Sequence, residues 1–222
     1  MSSWAQREKY LVKAAQRSLK GHKTFDLCRS HLMKASQISK GTIYNHFTSE
    51  ADLIVAVACN DYQTWIELAK QDEKEHQDPL ICFLYHHCNR LYLTLSEKLF
   101  VIDRVMPNQD LLDQATAHYR DRFEHLCAEY LQWNREMISR IGDVPGFDRA
   151  ELVMSYLRGA MINSDDADKH FEDVQLYFQF SYALSQLMGH SDKRIPTKQV
   201  FSAWLLAKKE LSLHQSTMSS AA

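Results

Sequence analysis

Glycine and proline are scarce in this chain, at 6 and 4 of its 222 residues. No run alternates strictly between apolar and polar residues, as half-buried strands do, so the sequence predicts a mainly helical chain. No segment approaches the roughly 18 consecutive apolar residues that a membrane-spanning helix needs. The first ten residues, MSSWAQREKY, lack the apolar core of a signal peptide. We therefore expect an all-α, cytoplasmic protein with no membrane partner.

Cysteine is also sparse, and its five positions form no CxxC pair; they are Cys28, Cys59, Cys82, Cys88 and Cys127. An odd count and wide scatter argue against a disulfide framework and against a zinc site. Soft metal ligands do cluster at Cys82, His86, His87 and Cys88. Neighbouring residues of a helix point about 100° apart, however, and cannot share a metal unaided. We expect no metal and no cofactor, and keep a metal sensor or small all-α enzyme as a minor alternative.

Catalytic motifs are missing as well. The sequence contains no nucleophile elbow, no phosphate-cradling glycine loop and no HExxH. Apolar residues make up 45% of the chain and charged residues 24%, which is ordinary for a soluble globular protein. We predict that the protein is not an enzyme.

The net charge of −2 conceals an uneven distribution. Residues 1–50 contain nine Lys or Arg and three Asp or Glu, which gives a net charge of +6. Residues 51–222 contain 17 Lys or Arg and 25 Asp or Glu, which gives a net charge of −8. A basic N-terminal quarter on an acidic remainder is typical of a protein whose N-terminal part binds nucleic acid.

That basic quarter has the pattern of a helix-turn-helix. The periodicity predicts helices over 3–20 and 26–35, a turn at Ser36-Gln37, and a third helix that begins near Ser39. The third helix lies within residues 38–47, ISKGTIYNHF, where Ile38, Ile43 and Phe47 are the apolar positions. Its other residues suit phosphates and base edges better than a protein core. Two short helices joined by a short turn, the second with a polar and basic outer face, form the helix-turn-helix arrangement.

The segment GTIYNHF, followed by Ser49 and Leu53, resembles the DNA-binding domain of TetR-family transcriptional repressors over about residues 5–60. The family pattern is matched at Gly41, Thr42, Tyr44, His46, Phe47, Ser49 and Leu53. The resemblance implies a set of DNA-binding residues: Arg29, Ser30, Ser39, Lys40, Gly41, Thr42, Tyr44, Asn45 and His46. Tyr44 and His46 would hold phosphates. The residues that would face the major groove are Arg29, Ser30, Lys40, Gly41, Thr42 and Asn45.

Three residues depart from the family pattern. Gln37 occupies the turn position that usually holds glycine, so it must adopt a left-handed conformation, at a cost of about 1 kcal/mol, or reshape the turn. Met33 replaces a small residue in the second helix. Glu50 replaces a lysine at the start of the fourth helix, where a carboxylate suits the helix dipole but removes a phosphate contact.

The remainder of the chain predicts a helical bundle. A long helix over 49–75, roughly 40 Å at 1.5 Å per residue, is apolar on two faces and so needs two neighbours. Further helices are predicted over 79–98, 109–141, 147–163, 168–189 and 197–213, about nine in total. We divide the chain into a helix-turn-helix domain (1–48), a helical ligand-binding and dimerisation domain (49–214) and a flexible tail (215–222).

The resemblance also implies how such a protein works. Members of the family bind a palindromic operator in double-stranded DNA as homodimers, and a small molecule held among the central helices releases them. We expect a ligand-released repressor whose effector and pocket residues remain unassigned. The alternative is a TetR-like helical protein with weakened DNA binding that acts through a protein partner.

Overall fold

The computed structural model describes residues 3–219, without the side chains of residues 192 and 212–219. This part of the chain contains ten α-helices and no strand, which confirms the predicted all-α fold. The helices are α1 (Trp4–Ser18), α2 (Arg29–Ser36), α3 (Lys40–His46), α4 (Glu50–Glu75), α5 (Pro79–Ser96), α6 (Gln109–Gln114), α7 (Ala117–Ile141), α8 (Arg149–Asp166), α9 (Val174–Leu187) and α10 (Lys198–Ser219). The predicted tail therefore overlaps α10 up to residue 219, and residues 220–222 lie outside the described part.

The single helix predicted over 109–141 is wrong, because it is divided into α6 and α7. Ala115 and Thr116 are extended at the break, with ψ of 151° and 152°. The cause lies far away in the sequence: the Asp52 carboxylate accepts hydrogen bonds from the backbone N–H of Thr116, at 2.7 Å, and from its hydroxyl, at 3.0 Å. No pattern within 109–141 predicts a break that a residue of α4 imposes.

Helices α1, α2 and α3 form a small N-terminal unit, here called the head. Its core is made of fully buried side chains of all three helices: Leu11, Ala15, Leu32, Ile43 and Phe47. Gln37 ends α2 with φ of 57° and ψ of 24°, so of the two outcomes that the sequence allowed, it adopts the left-handed conformation. The turn therefore keeps its shape without glycine, because Gln37 adopts the strained left-handed conformation.

Helix α4 connects the head to the rest of the chain, here called the body. Ser49 caps α4, because its hydroxyl oxygen accepts a hydrogen bond from the Asp52 N–H. The Asp52 carboxylate in turn accepts a hydrogen bond from the Ser49 N–H. This reciprocal capping box satisfies amides that the first turn of a helix leaves free. Along its length α4 packs against α1 on the head side and against α5, α6 and α7 in the body, as its two apolar faces predict.

A buried polar network joins α4, α5 and α7 in the body. His86 lies 2.9 Å from the Asp72 carboxylate through Nδ1 and 2.9 Å from the Tyr130 hydroxyl through Nε2. Arg90 donates to the same hydroxyl at 3.0 Å, and its guanidinium carbon lies 3.6 Å from the centre of the Trp65 ring. The histidine that the sequence offered as a soft metal ligand therefore has both ring nitrogens committed to protein partners.

None of the helices in the described part is long and apolar enough to cross a membrane. The same residues include no group of three or more His, Cys, Asp or Glu side chains arranged to hold a metal ion. His87, next to His86, is fully buried and lies 3.0 Å through Nε2 from the Asn134 side-chain oxygen. Burial lowers the pKa of His87 well below its usual value, so this imidazole is neutral.

Candidate nucleic-acid interface

Helix α3 projects a polar surface from the head because its apolar residues are buried beneath it. Ser39 caps the helix by accepting a hydrogen bond from the Thr42 N–H at 3.4 Å, and its hydroxyl lies 3.0 Å from that of Thr42. Ile43 is fully buried, which fixes the rotation of the helix on the head. The residues that remain exposed on α3 and its cap are Ser39, Lys40, Gly41, Tyr44 and Asn45, with Thr42 half-buried.

Gly41 has no internal reason to be glycine. It lies in the first turn of α3, its φ is not positive, and a Cβ built on it meets no atom within 4 Å. Glycine costs a helix interior about 1 kcal/mol relative to alanine. A glycine that is neither strained nor crowded within its own chain suits a position where another molecule approaches the backbone closely.

Cations flank the exposed ring of Tyr44. The Arg29 guanidinium carbon lies 4.4 Å from the ring centre and the Lys40 ammonium lies 5.4 Å from it. Ser30, which follows Arg29 at the start of α2, is also exposed. The structure thus brings together seven of the nine predicted DNA-binding residues on one surface, here called the α3 surface: Ser30, Ser39, Lys40, Gly41, Thr42, Tyr44 and Asn45.

Arg29 is not free to act with them. Its Nε donates to the Glu50 carboxylate at 2.9 Å, and its terminal nitrogen donates to the carbonyl oxygens of Phe47, at 3.1 Å, and Thr48, at 2.6 Å. The other Glu50 oxygen accepts from the Arg29 backbone N–H at 2.9 Å. Arg29 therefore connects the start of α2 to the end of α3 and to α4. Glu50, which replaces the usual lysine, is its partner.

Replacing Arg29 with alanine is expected to lower the free energy of unfolding by about 1–2 kcal/mol, because two carbonyls and one carboxylate lose a donor at a partly solvated site. Urea unfolding of Arg29→Ala, Glu50→Ala and the double variant measures this change and the coupling between the two side chains. A variant with unchanged stability but much weaker DNA binding would instead make Arg29 a direct DNA contact.

His46 is the other predicted residue that lies apart from the α3 surface. Its ring is buried under that of Trp4, with the ring centres 3.7 Å apart and only 3% of the residue exposed. Neither ring nitrogen has a hydrogen-bond partner among the described residues. Burial lowers the pKa of His46, Glu8 acts to raise it and Arg7 acts to lower it. In this arrangement His46 packs within the head, and a phosphate contact would first require Trp4 to move.

The beginning of α7 contacts two helices of the head and the start of α4, which the sequence did not reveal. The Tyr119 hydroxyl donates to the carbonyl of His46, at the end of α3, at 2.9 Å. One turn later Arg122 donates to the Glu8 carboxylate of α1 at 2.7 Å. With the Asp52 contact at Thr116, one end of a body helix touches α1, α3 and α4. Helix α7 is therefore in direct contact with the end of α3, the helix that carries the candidate DNA-binding surface.

No family model and no curated protein matches the chain, so its similarity to known proteins lies in the fold. The fatty acid degradation regulator FadR from Bacillus halodurans has a TM-score of 0.61 and 15% identity, over 84% of this chain and 96% of that one. RolR in complex with its ligand resorcinol has a TM-score of 0.59 and 13% identity, over 89% and 94%.

A TetR transcriptional regulator from Rhodococcus sp. RHA1 has a TM-score of 0.53 and 14% identity, over 82% of this chain and 97% of that one. These likenesses extend over almost the full length of each solved chain, so they include both the head and the body. The chain therefore has the all-α fold of TetR-type transcriptional regulators.

Proposed function

We propose that this protein is a transcriptional regulator that binds double-stranded DNA through the α3 surface and does no catalysis. The observation that carries the proposal is the exposed first turn of α3, where Gly41 leaves open space beside Lys40 and Tyr44. A helix that offers donors and acceptors without steric obstruction suits entry into a major groove. The basic charge of residues 1–50 supports the same conclusion. A regulator of this kind acts on DNA in the cytoplasm.

The proposed operator is palindromic because the proposed DNA-binding form is a homodimer. Exposed apolar side chains lie on the three C-terminal helices: Leu152 on α8, Tyr182 on α9, and Val200, Leu206 and Leu211 on α10. Pairing these faces around a twofold axis would cover them and place one α3 of each subunit toward the DNA. Two such helices read half-sites about 34–36 Å apart.

We further propose that the protein is a repressor whose body takes a small-molecule effector, which releases the DNA. The division into a helix-turn-helix domain over 1–48 and a ligand-binding and dimerisation domain over 49–214 follows from this proposal. The contacts of α7 with α1, α3 and α4 support it, because they give the body a mechanical connection to the head. The solved RolR complex contains resorcinol. The similarity in fold supports an effector for this chain as well, but it does not identify that effector as resorcinol. An effector that binds best to the dimer with one particular spacing of the two heads shifts the population of dimers toward that spacing.

The decisive experiment is a binding-site selection with the purified chain on sheared genomic DNA at two salt concentrations. The expected result is an enriched palindrome, bound more weakly at the higher salt because counterions are released on binding. Lys40→Ala is expected to weaken binding by about 1–3 kcal/mol and to relax the sequence preference at the base pair that Lys40 contacts, and Ala128→Ser, on the exposed side of α7, serves as the unaffected control. Absence of any enriched site at the lower salt would contradict the proposal.

A second candidate function is binding of a protein partner by the same fold with weakened DNA binding. Glu50 favours it, because an exposed carboxylate lies beside the proposed DNA surface and would repel phosphates. The substitution Glu50→Lys separates the two functions. If the main proposal holds, the wild type already binds DNA, and the Glu50→Lys substitution only breaks the contact with Arg29 and lowers the free energy of unfolding. DNA binding that arises only in the Glu50→Lys variant would favour the protein partner.

A further inference from the structure

A cleft of about 340 Å³ lies where the head meets α4. One wall is α1, the opposite wall is the middle of α4, and the segment after α5 closes one end. The volume is at the small end of the range of roughly 300–1,000 Å³ that ligand sites occupy. The cleft lies outside the space between α4, α5 and α7, which the buried polar network of His86, Tyr130 and Arg90 fills.

The inside of the cleft is largely apolar. Leu19, directly after α1, and Val57 of α4 are almost fully buried and line the cleft. Phe100 and the half-exposed Leu99 line its end. Apolar atoms of this kind accept a hydrocarbon or an aromatic ring with a gain of about 25 cal/mol for each Å² removed from water. A ligand of the cleft therefore has an apolar part.

One carboxyl group lines the cleft. Asp61 of α4 is partly buried, and its Oδ1 accepts a hydrogen bond from the Gln16 side chain of α1 at 2.7 Å. Burial raises the pKa of Asp61 to about 7; the Gln16 hydrogen bond acts to lower it, Asp103 to raise it and Arg90 to lower it. Near neutral pH this side chain is therefore available in its protonated form, as a hydrogen-bond donor.

Two cations stand at the mouth of the cleft. Lys13 and Arg17 lie one turn apart on α1 and are exposed, and neither forms an ion pair with another described residue. Lys20, one turn further on, is paired with Glu97 at 2.8 Å. An unpaired lysine and arginine next to a protonatable carboxyl group favour a ligand with a single anionic group.

We propose that this cleft is a binding site for a small amphipathic carboxylate, with its ring or short chain against Val57 and Phe100 and its carboxylate between Arg17 and Lys13. Neutral Asp61 donates a hydrogen bond to the same ligand. The site joins α1 to α4, so its occupation fixes the head on that helix. That such fixing changes DNA affinity rests on the proposed function, whereas binding of the carboxylate does not.

The test measures binding to the full chain without DNA, by calorimetry and by thermal stabilisation. The probes are phenylacetate, indole-3-acetate and hexanoate, each compared with its neutral amide. At least one acid is expected to bind and its amide to bind about tenfold more weakly, which corresponds to the loss of one well-placed charged contact. Arg17→Ala and Lys13→Ala should each weaken the acid about fivefold. Lys34→Ala, which removes an equal charge from α2 outside the cleft, should not.

The pH dependence gives an independent readout. The charged groups around Asp61 are Lys13 and Arg17 from α1, Lys20 from the segment after α1, and Arg90 and Asp103 from the body. Because ionised Asp61 repels the carboxylate, binding to the wild type should weaken as the pH rises through 7, whereas Asp61→Asn should retain its affinity at pH 8.

Three results would overturn the site: no acid binding at 10 mM, equal binding of acid and amide, or unchanged binding in the Lys13→Ala, Arg17→Ala double variant. Each leaves the DNA-binding proposal intact. A chain that binds the acid in the expected way and selects no DNA would remove the proposed function alone.

Discussion

Replacing Gly41 with leucine is expected to reduce DNA affinity at least 100-fold while leaving the isolated protein folded and slightly more stable. The two effects have opposite signs because they arise in different states of the protein. In the free chain the added side chain meets no atom within 4 Å of its Cβ position. Leucine also favours a helix over glycine by up to about 0.8 kcal/mol, an amount reduced by the position of Gly41 in the first turn.

In the bound chain, the same side chain would occupy space that DNA needs. A backbone lying close to a groove wall has no room for a side chain of four carbons, and the helix must withdraw, which lengthens every hydrogen bond to base edges. Losing two or more such contacts, each worth about 1–3 kcal/mol, accounts for the expected fall. The graded variant Gly41→Ala should show a smaller loss.

Gel-shift titration with the selected operator measures the affinity, and thermal unfolding measures the stability. Ala128→Leu is the matched control, since it adds a similar side chain at an exposed position of α7 in the body and should change neither quantity by much. Full DNA binding by a folded Gly41→Leu variant would mean that α3 does not approach the groove through its first turn, and the α3 surface would have to be abandoned.

Much of the head was predictable from sequence because its determinants are local. The spacing of Ile43 and Phe47, the cap at Ser39 and the turn at Gln37 all act within a few residues of one another. Periodicity and capping rules describe interactions of that range. The exposed positions of α3 then follow from the rotation that the buried side chains impose.

The parts that sequence did not predict depend on contacts between distant residues. Arg29 meets Glu50, His46 lies under Trp4, and the hydroxyl of Tyr119 meets the end of α3. A motif assigns a role to each of these side chains from its position in the sequence alone. It does not show which side chains already form contacts with distant parts of the chain. The same limit explains the missed break between α6 and α7.

Replacing Asp52 with alanine is expected to lower the free energy of unfolding by about 4 kcal/mol, because this side chain joins the start of α4 to the start of α7. The carboxylate is fully buried and accepts five hydrogen bonds. The donors are the N–H and hydroxyl groups of Thr48 and Thr116 and the N–H of Ser49. Unpaired donors at a buried site cost about 1–3 kcal/mol each, and because Thr48 and Thr116 are exposed residues, water reaches part of the gap and lowers the sum. Typical stabilities are only about 5–15 kcal/mol.

The matched control is Asp148→Ala. Asp148 caps α8 with hydrogen bonds to the N–H groups of Ala150 and Glu151, so its loss should cost about 1 kcal/mol, as ordinary caps do. Urea unfolding of both variants separates the role of Asp52 at the junction from simple capping. Equal losses would show that the contact between α4 and Thr116 adds nothing to stability.

The pH dependence of this effect follows from the hydrogen bonds. Burial acts to raise the pKa of Asp52, but the bonds from Thr116, Thr48 and Ser49 outweigh it and lower the pKa below its ordinary value. A carboxyl group whose pKa is lower in the folded than in the unfolded state stabilises the fold above the unfolded value, near 3.9, and loses that contribution as the pH falls through the folded value. The difference in stability between the wild type and Asp52→Asn should therefore be greatest at neutral pH and shrink below about pH 4. A difference that stayed constant down to pH 2.5 would mean that the charge of Asp52 contributes nothing, and that shape alone holds α4 against α7.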